Sequence, residues 1–252
     1  MRIFSIIVCV FLLSAICMAE ETEYFDWKGS KLYSSGNYTG AMAYFNKAIS
    51  QDQNYIDSWI HKGNAQRALK DYNESIASYN AVLQIDSKNA AAWSGIADAY
   101  TAMKDYANAS AAAAKATEID NSKGNWLREG NLLQEQEKYQ DATTKYDAAI
   151  ALDPKYREAL YKKGVSLMVM SNFAEAQNQF NQAAESDPKM KQAYVAKGVA
   201  LEASGRYVEA QQAFEKALEI DPSYSLALVN KMQLLLFMKK QNEAMKIFPN
   251  VF

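Results

Sequence analysis

The sequence predicts an all-α solenoid, six full helical hairpins stacked in series and followed by a partial seventh. Three observations predict it. First, Lys191–Pro222 reads as two helical segments separated by Gly205–Arg206–Tyr207. Tyr194, Gly198 and Leu201 share one helix face, and Ala210, Phe214, Ala217 and Leu218 share another. Second, Asp221–Pro222 stops the second segment, because the residue before a proline is pushed out of the helical region. Third, the pattern recurs. Gly198, Gly164 and Gly130 lie 34 residues apart, and near-equal steps lead on to Ala97, Gly63 and Gly29. One such hairpin cannot bury its apolar seam alone, and a fixed period in this range marks a solenoid.

Three further columns keep the register. A small residue recurs at Ala41, Ser75, Ala109, Ala142, Ala176, Ala210 and Ala244. An aromatic between the helices recurs at Tyr38, Tyr72, Tyr106, Tyr139, Phe173 and Tyr207. A buried aromatic is expected at Phe45, Tyr79, Tyr146, Phe180, Phe214 and Phe248, with Ala113 in its place in the third repeat. The small residues let two antiparallel helices approach, and the aromatic fills the space beside them. This pattern resembles the tetratricopeptide repeat, whose first helix carries W-x₂-L-G-x₂-Y and whose second carries A-x₃-F-x₂-A before a proline. Trp59, Trp93 and Trp126 stand at the tryptophan place, with Phe25, Leu160 and Tyr194 in the other repeats. The resemblance covers residues 22–248 and implies a right-handed superhelical α-solenoid of helix-turn-helix hairpins.

The chain opens differently. Residues 1–19 carry Arg2 and then the apolar, uncharged run Ile3–Met18, with small residues around Ala19. That is the layout of a secretory signal peptide, and the alternative is an uncleaved signal anchor. Ile16 is bulky for a lipidation site at Cys17. Each reading places residues 20–252 across the membrane as a secreted, periplasmic or envelope-associated solenoid, tethered through its N-terminus if the anchor is kept. Cys9 and Cys17 both lie in the leader, so the solenoid has no disulfide, thiol nucleophile or cysteine metal site. Packing alone must hold it, and a chain 49% hydrophobic supplies the material. A net charge of −2 gives no electrostatic basis for nucleic-acid binding.

The repeats are expected near 22–55, 56–89, 90–122, 123–156, 157–190 and 191–224, with a partial one at 225–252. In the first, Trp27 lies off the seam, as a cap on the stack or a contact surface. The second holds the only histidine, His61, which reads as a half-exposed surface residue. The third has the alanine-rich helix Asn108–Ala116, which fills little volume, so its hairpin is expected to pack thinly. The next three each end in Asp-Pro. The last has the apolar run Leu234–Met238 and looks under-capped. Either Phe248–Phe252 folds back over it, or Leu235 and Phe237 face a partner or a second copy.

In the resembling family, ligand peptides lie against first-helix residues that point away from the seam. Carried over, that role falls on rows that include Asp26, Asn64, Arg67, Asp98, Asn131 and Glu202, and on an apolar stripe of Tyr161, Val165, Met168, Val195, Val199 and Val229. Asparagine offers both amide groups to a peptide backbone, and Arg67 suits a carboxylate. The family's carboxylate clamp is missing, since Ile60 and Leu127 stand where it has lysine. A lysine column, Lys28, Lys62, Lys163, Lys197 and Lys231, reads as stems lying across apolar surface. Sequons at Asn37, Asn73 and Asn108 are candidate glycosylation sites. No phosphate loop, metal-spaced cluster or nucleophile–base pair occurs, so neither catalysis nor a cofactor is expected. The expected function is a scaffold that binds a protein or peptide segment; the alternative is a self-associating envelope spacer joined through the C-terminal helix.

Overall fold

The computed structural model describes residues 2–247. Helices alternate in hairpins: α1 Arg2–Ser34 with α2 Tyr38–Gln51, α3 Ile56–Ala68 with α4 Tyr72–Ile85, and α5 Ala90–Ala102 with α6 Tyr106–Ile119. They continue with α7 Lys123–Glu135 and α8 Tyr139–Leu152, α9 Arg157–Val169 and α10 Phe173–Ser186, and α11 Lys191–Ala203 and α12 Tyr207–Ile220. The last pair is α13 Ser225–Phe237 and α14 Gln241–Ile247. The architecture is thus an all-α repeat solenoid. It divides into two compact units, Met1–Asn121 and Ser122–Phe252. Phe248 and the proposed fold-back of Phe248–Phe252 lie outside the described residues. Among the described residues, no helix is long and apolar enough to cross a membrane.

The seam is a glycine against a ring. Phe45, Tyr79, Tyr146, Phe180 and Phe214 are all fully buried. A Cβ on Gly29 would come within 2.5 Å of Phe45, on Gly130 within 2.4 Å of Tyr146, and on Gly198 within 2.4 Å of Phe214. The ring therefore packs directly against the first helix's backbone, and only glycine leaves it room. Repeat three exchanges both partners. Ala113 replaces the ring and Ala97 replaces the glycine, and both are buried. Its alanine seam is closed, but a hollow opens beside it, lined by Ile76, Trp93, Ile96, Tyr100 and Ala112.

Each first helix ends the same way. In α3 the Lys70 N–H donates to the Arg67 carbonyl and the Asp71 N–H to the Gln66 carbonyl, the paired bonds of a Schellman turn. The turn needs a left-handed residue. Gly36 and Gly205 supply it in two repeats, and Lys70, Lys104, Glu137, Ser171 and Lys239 adopt it in the others. The second helices of the first six hairpins each end on aspartate, with or without proline. Asp52, Asp86, Asp153, Asp187 and Asp221 each accept the backbone N–H two residues on. Three of these carboxylates also hold a cation at the start of their repeat's first helix, namely Lys123–Asp153, Arg157–Asp187 and Lys191–Asp221. Two tryptophans bind the loop before them: Trp59 Nε1 donates to the Gln53 carbonyl at 2.9 Å and Trp93 Nε1 to the Ser87 carbonyl at 3.3 Å.

Within each unit neighbouring hairpins pack in series. First helices also touch one another, α1 to α3 and α3 to α5 in the first unit, α7 to α9 to α11 to α13 in the second. Each unit therefore presents a wall of first helices, on which the candidate site residues lie.

Candidate protein-interaction site

In the first unit this wall is polar and internally paired. Tyr79, inserted from α4, donates its hydroxyl to Asn64 Oδ1 at 2.8 Å. Arg67 Nη1 reaches Asp98 Oδ2 at 3.4 Å, so this guanidinium already holds a carboxylate. An incoming carboxylate would have to compete with Asp98. One turn earlier, Asp26 is only 7% exposed. It accepts from Ser58 Oγ at 2.7 Å and bonds His61 Nδ1 at 2.9 Å. The imidazole lies over Phe45 with ring centroids 5.5 Å apart. The bond with Asp26 raises the His61 pKa above its ordinary value, against the opposing effect of burial.

This cluster was not legible as such in the sequence. It brings Asp26, His61 and Ser30 together, with Ser30 Oγ 3.4 Å from the imidazole. The arrangement is not a catalytic triad. Ser30 approaches Nδ1, the same nitrogen that Asp26 engages, whereas a triad sets carboxylate and hydroxyl on opposite ring nitrogens. Beside it, Ser30, Tyr33, Ser34, Phe45, His61 and Asn64 line a small open hollow.

In the second unit the polar residues again serve the seam. Tyr146 lies 3.0 Å from Asn131 Oδ1 and 2.9 Å from Gln134 Oε1. Its burial pushes the phenol pKa up, so it stays a neutral donor. Beyond it the wall carries an apolar row. Tyr161 meets Phe180 with ring centroids 5.7 Å apart. Tyr161, Val165 and Met168 lie half-buried over Leu167, Phe180 and Ala200. Val199 does the same over Leu201 and Phe214. Val195 does not share this surface. It is 3% exposed and belongs to the core, so it offers nothing to a ligand.

The remaining candidates are scattered. Asn37, Asn73 and Asn108 are all exposed. Asn37 caps α2 through the Gly40 N–H, and Asn108 donates its side-chain amide to Asp105. Lys28 lies over Tyr24 and Tyr44, Lys62 over Trp59, while Lys163 meets Asp147 and Lys231 meets Glu215. Those four lysines serve rings and carboxylates of their own unit. Trp27 is 51% exposed, beside Tyr24 and under Lys31. At the other end Phe237 is 64% exposed and Met245 68%, whereas Leu235 is buried and is no contact residue.

Known proteins share this architecture. Models of the tetratricopeptide repeat match residues 23–55, 63–104, 90–123, 130–171 and 161–225. Among solved structures, YrrB, described as a TPR protein with an unusual peptide-binding site, is 26% identical with a TM-score of 0.58 over 74% of this chain and 97% of its own. The MamA protein is 25% identical with a TM-score of 0.58 over 67% of this chain and 92% of its own. The C-terminal part of a TPR repeat-containing protein from Cytophaga hutchinsonii reaches 0.73 over 92% of this chain and 94% of its own, at 15% identity, which shows the fold alone. No curated protein sequence matches the chain. The fold is one used for protein–protein interaction scaffolds, which are generally not enzymes. With the glycine-on-ring seam recurring in register with the matched segments, the chain belongs to the tetratricopeptide repeat family.

Proposed function

We propose that this chain is an exported scaffold that holds an extended or helical segment of another protein against the first-helix wall of Ser122–Phe252. The observation that carries the reading is the row Tyr161, Val165, Met168 and Val199. These apolar side chains remain partly exposed on a wall whose amides Asn131 and Gln134 are engaged by Tyr146. The unusual peptide-binding site described for YrrB supports the same use of the fold. Export rests on the composition of residues 1–19 and on the lack of cysteine after them. The leader is either removed or kept as a tether.

The test is photocrosslinking in the source cells, with a crosslinking amino acid at Val165 or at the exposed outer position Glu219. The expected result is a defined partner captured from Val165 only and lost in Met168→Asp. Equal capture from both positions, or capture that survives Met168→Asp, would remove the reading. Fractionation of the same cells places the chain inside or outside the cytoplasmic membrane.

One observation favours a second reading. Leu226, Phe237 and Met245 are exposed on the last hairpin, where Phe237 meets the Tyr207 ring at 5.0 Å. A self-associating spacer would use that end. Light scattering would then show a mass rising with concentration in the wild type and not in Phe237→Ser.

A further inference from the structure

The inner walls carry four charged side chains in the rows assigned to ligand contact: Asp26, Arg67, Asp98 and Glu202. Three of them have a side-chain partner within the fold. Asp26 holds Ser58 and His61, and Arg67 and Asp98 hold each other. Glu202 is different. It sits in the second unit, in the row of Met168 on α9 and Leu236 on α13, and α9, α11 and α13 touch in series. One turn before it on α11 is Val199. Its carboxylate has no side-chain hydrogen bond and no ion pair among the described residues. Burial alone raises its pKa, and no neighbouring charge contributes. Leu236 beside it is 50% exposed.

A half-buried carboxylate without a cation is unfavourable, because its lost hydration is not replaced. Around it the second unit's wall presents the apolar Tyr161, Val165, Met168, Val199 and Leu236 and the amide of Gln233, and a cation arriving from outside would replace the lost hydration. We propose that the segment held on this wall is apolar and carries one lysine or arginine, whose cation pairs with Glu202. The pairing rests on the scaffold reading above and adds the chemistry of its partner. The apolar side chains of the segment cover Val165, Met168 and Val199, and its cation lies toward Glu202. One carboxylate on an apolar wall fixes where along the wall the cation rests, so it sets the register of the bound segment as well as its charge.

The experiment pans a displayed library of random 12-residue peptides against the full chain, as wild type, Glu202→Gln, Glu202→Lys and Val165→Asp. The wild type is expected to enrich apolar peptides with one Lys or Arg. Changing that residue to norleucine in a synthetic binder is expected to weaken binding to the wild type about tenfold and to Glu202→Gln by under twofold. Glu202→Lys is expected to prefer the peptide with Glu at that place. Peptides that bind the wild type and Glu202→Gln equally, while Val165→Asp binds none, would overturn the cation and leave the scaffold reading standing. Equal recovery on Val165→Asp, or no binders to any form, would overturn both. A concentration-dependent dimer of the full chain that Val165→Asp abolishes would place a second copy on the wall and overturn the proposal in that way.

Discussion

The Tyr79 hydroxyl donates to Asn64 Oδ1 at 2.8 Å, and the Tyr146 hydroxyl meets Asn131 Oδ1 at 3.0 Å, so the same pair recurs in two repeats. Where the buried ring is Phe180 or Phe214, the wall residue is Val165 or Val199 instead. A buried hydroxyl needs an acceptor, and a ring without one does not. The two asparagines are therefore fixed by the seam behind them. With Oδ1 accepting from tyrosine, each offers chiefly its amide N–H groups to a ligand.

A double-mutant cycle tests this pairing. Asn64→Val alone strands the Tyr79 hydroxyl and is expected to cost about 1–3 kcal/mol of stability. Tyr79→Phe alone is expected to cost about 1 kcal/mol. The double variant recreates the Phe–Val repeats and should cost at least about 1 kcal/mol less than the sum, read from urea unfolding. Strict additivity would mean that the pair is incidental.

Repeat three gives a second cycle. Ala113→Phe alone drives a ring toward the Ala97 Cβ and is expected to cost about 1–3 kcal/mol. Ala97→Gly alone is expected to cost about 1 kcal/mol of helix propensity. Combined, they restore the glycine-on-ring arrangement that Gly63–Tyr79 and Gly130–Tyr146 show, where a Cβ would come within 2.7 and 2.4 Å. The double variant should be more stable than Ala113→Phe in the same melts. A double variant less stable than either single would mean that no space for a ring exists there.

The seam was readable because each glycine answers one aromatic in its own repeat, at a fixed spacing. The wall was readable only in part. The period marks which helix positions face outward, but side-chain length decides which of them reach the surface. In the row of Asp26, Ser94 and Val195, these short side chains are buried, while Ile60, Leu127 and Tyr161 at equivalent places stay partly exposed. Asn64 and Asn131 were read as ligand groups because their tyrosine partners sit 15 residues on, in the other helix. The alternation of Tyr with Asn and Phe with Val was present in the sequence and carried that information. The Asp26–His61 pair spans two repeats and breaks the period, so no column announced it.

The left-handed turn positions predict stabilising changes. Lys70, Lys104, Glu137, Ser171 and Lys239 hold φ between 59° and 69°, where Gly36 and Gly205 sit in the other repeats. A side chain there costs about 1–2 kcal/mol, and glycine's greater freedom in the unfolded chain offsets part of the gain. Each of Lys70→Gly, Lys104→Gly and Ser171→Gly is expected to add about 0.5–1 kcal/mol, and Gly205→Ala to remove about 1 kcal/mol. Urea midpoints measure both. A loss on installing glycine would mean that the native side chain makes a contact worth more than the strain.

His61 gives the chain a pH dependence of defined sign. It faces Asp26 on α1, Asp57 on its own helix, the Ser30 hydroxyl and the Phe45 ring of α2. Its folded pKa is raised, chiefly by the Asp26 bond. Folding therefore favours the protonated ring. That contribution is complete below the unfolded value of about 6.5 and fades as pH rises through the higher folded value. The side chain is 39% exposed, so solvent screening limits the effect to about 1 kcal/mol. The stability difference between wild type and His61→Gln should be largest near pH 5.5 and shrink toward pH 8. In Asp26→Asn the same comparison should be nearly flat with pH. A difference that grows with pH would mean that the neutral ring is the form that the fold prefers.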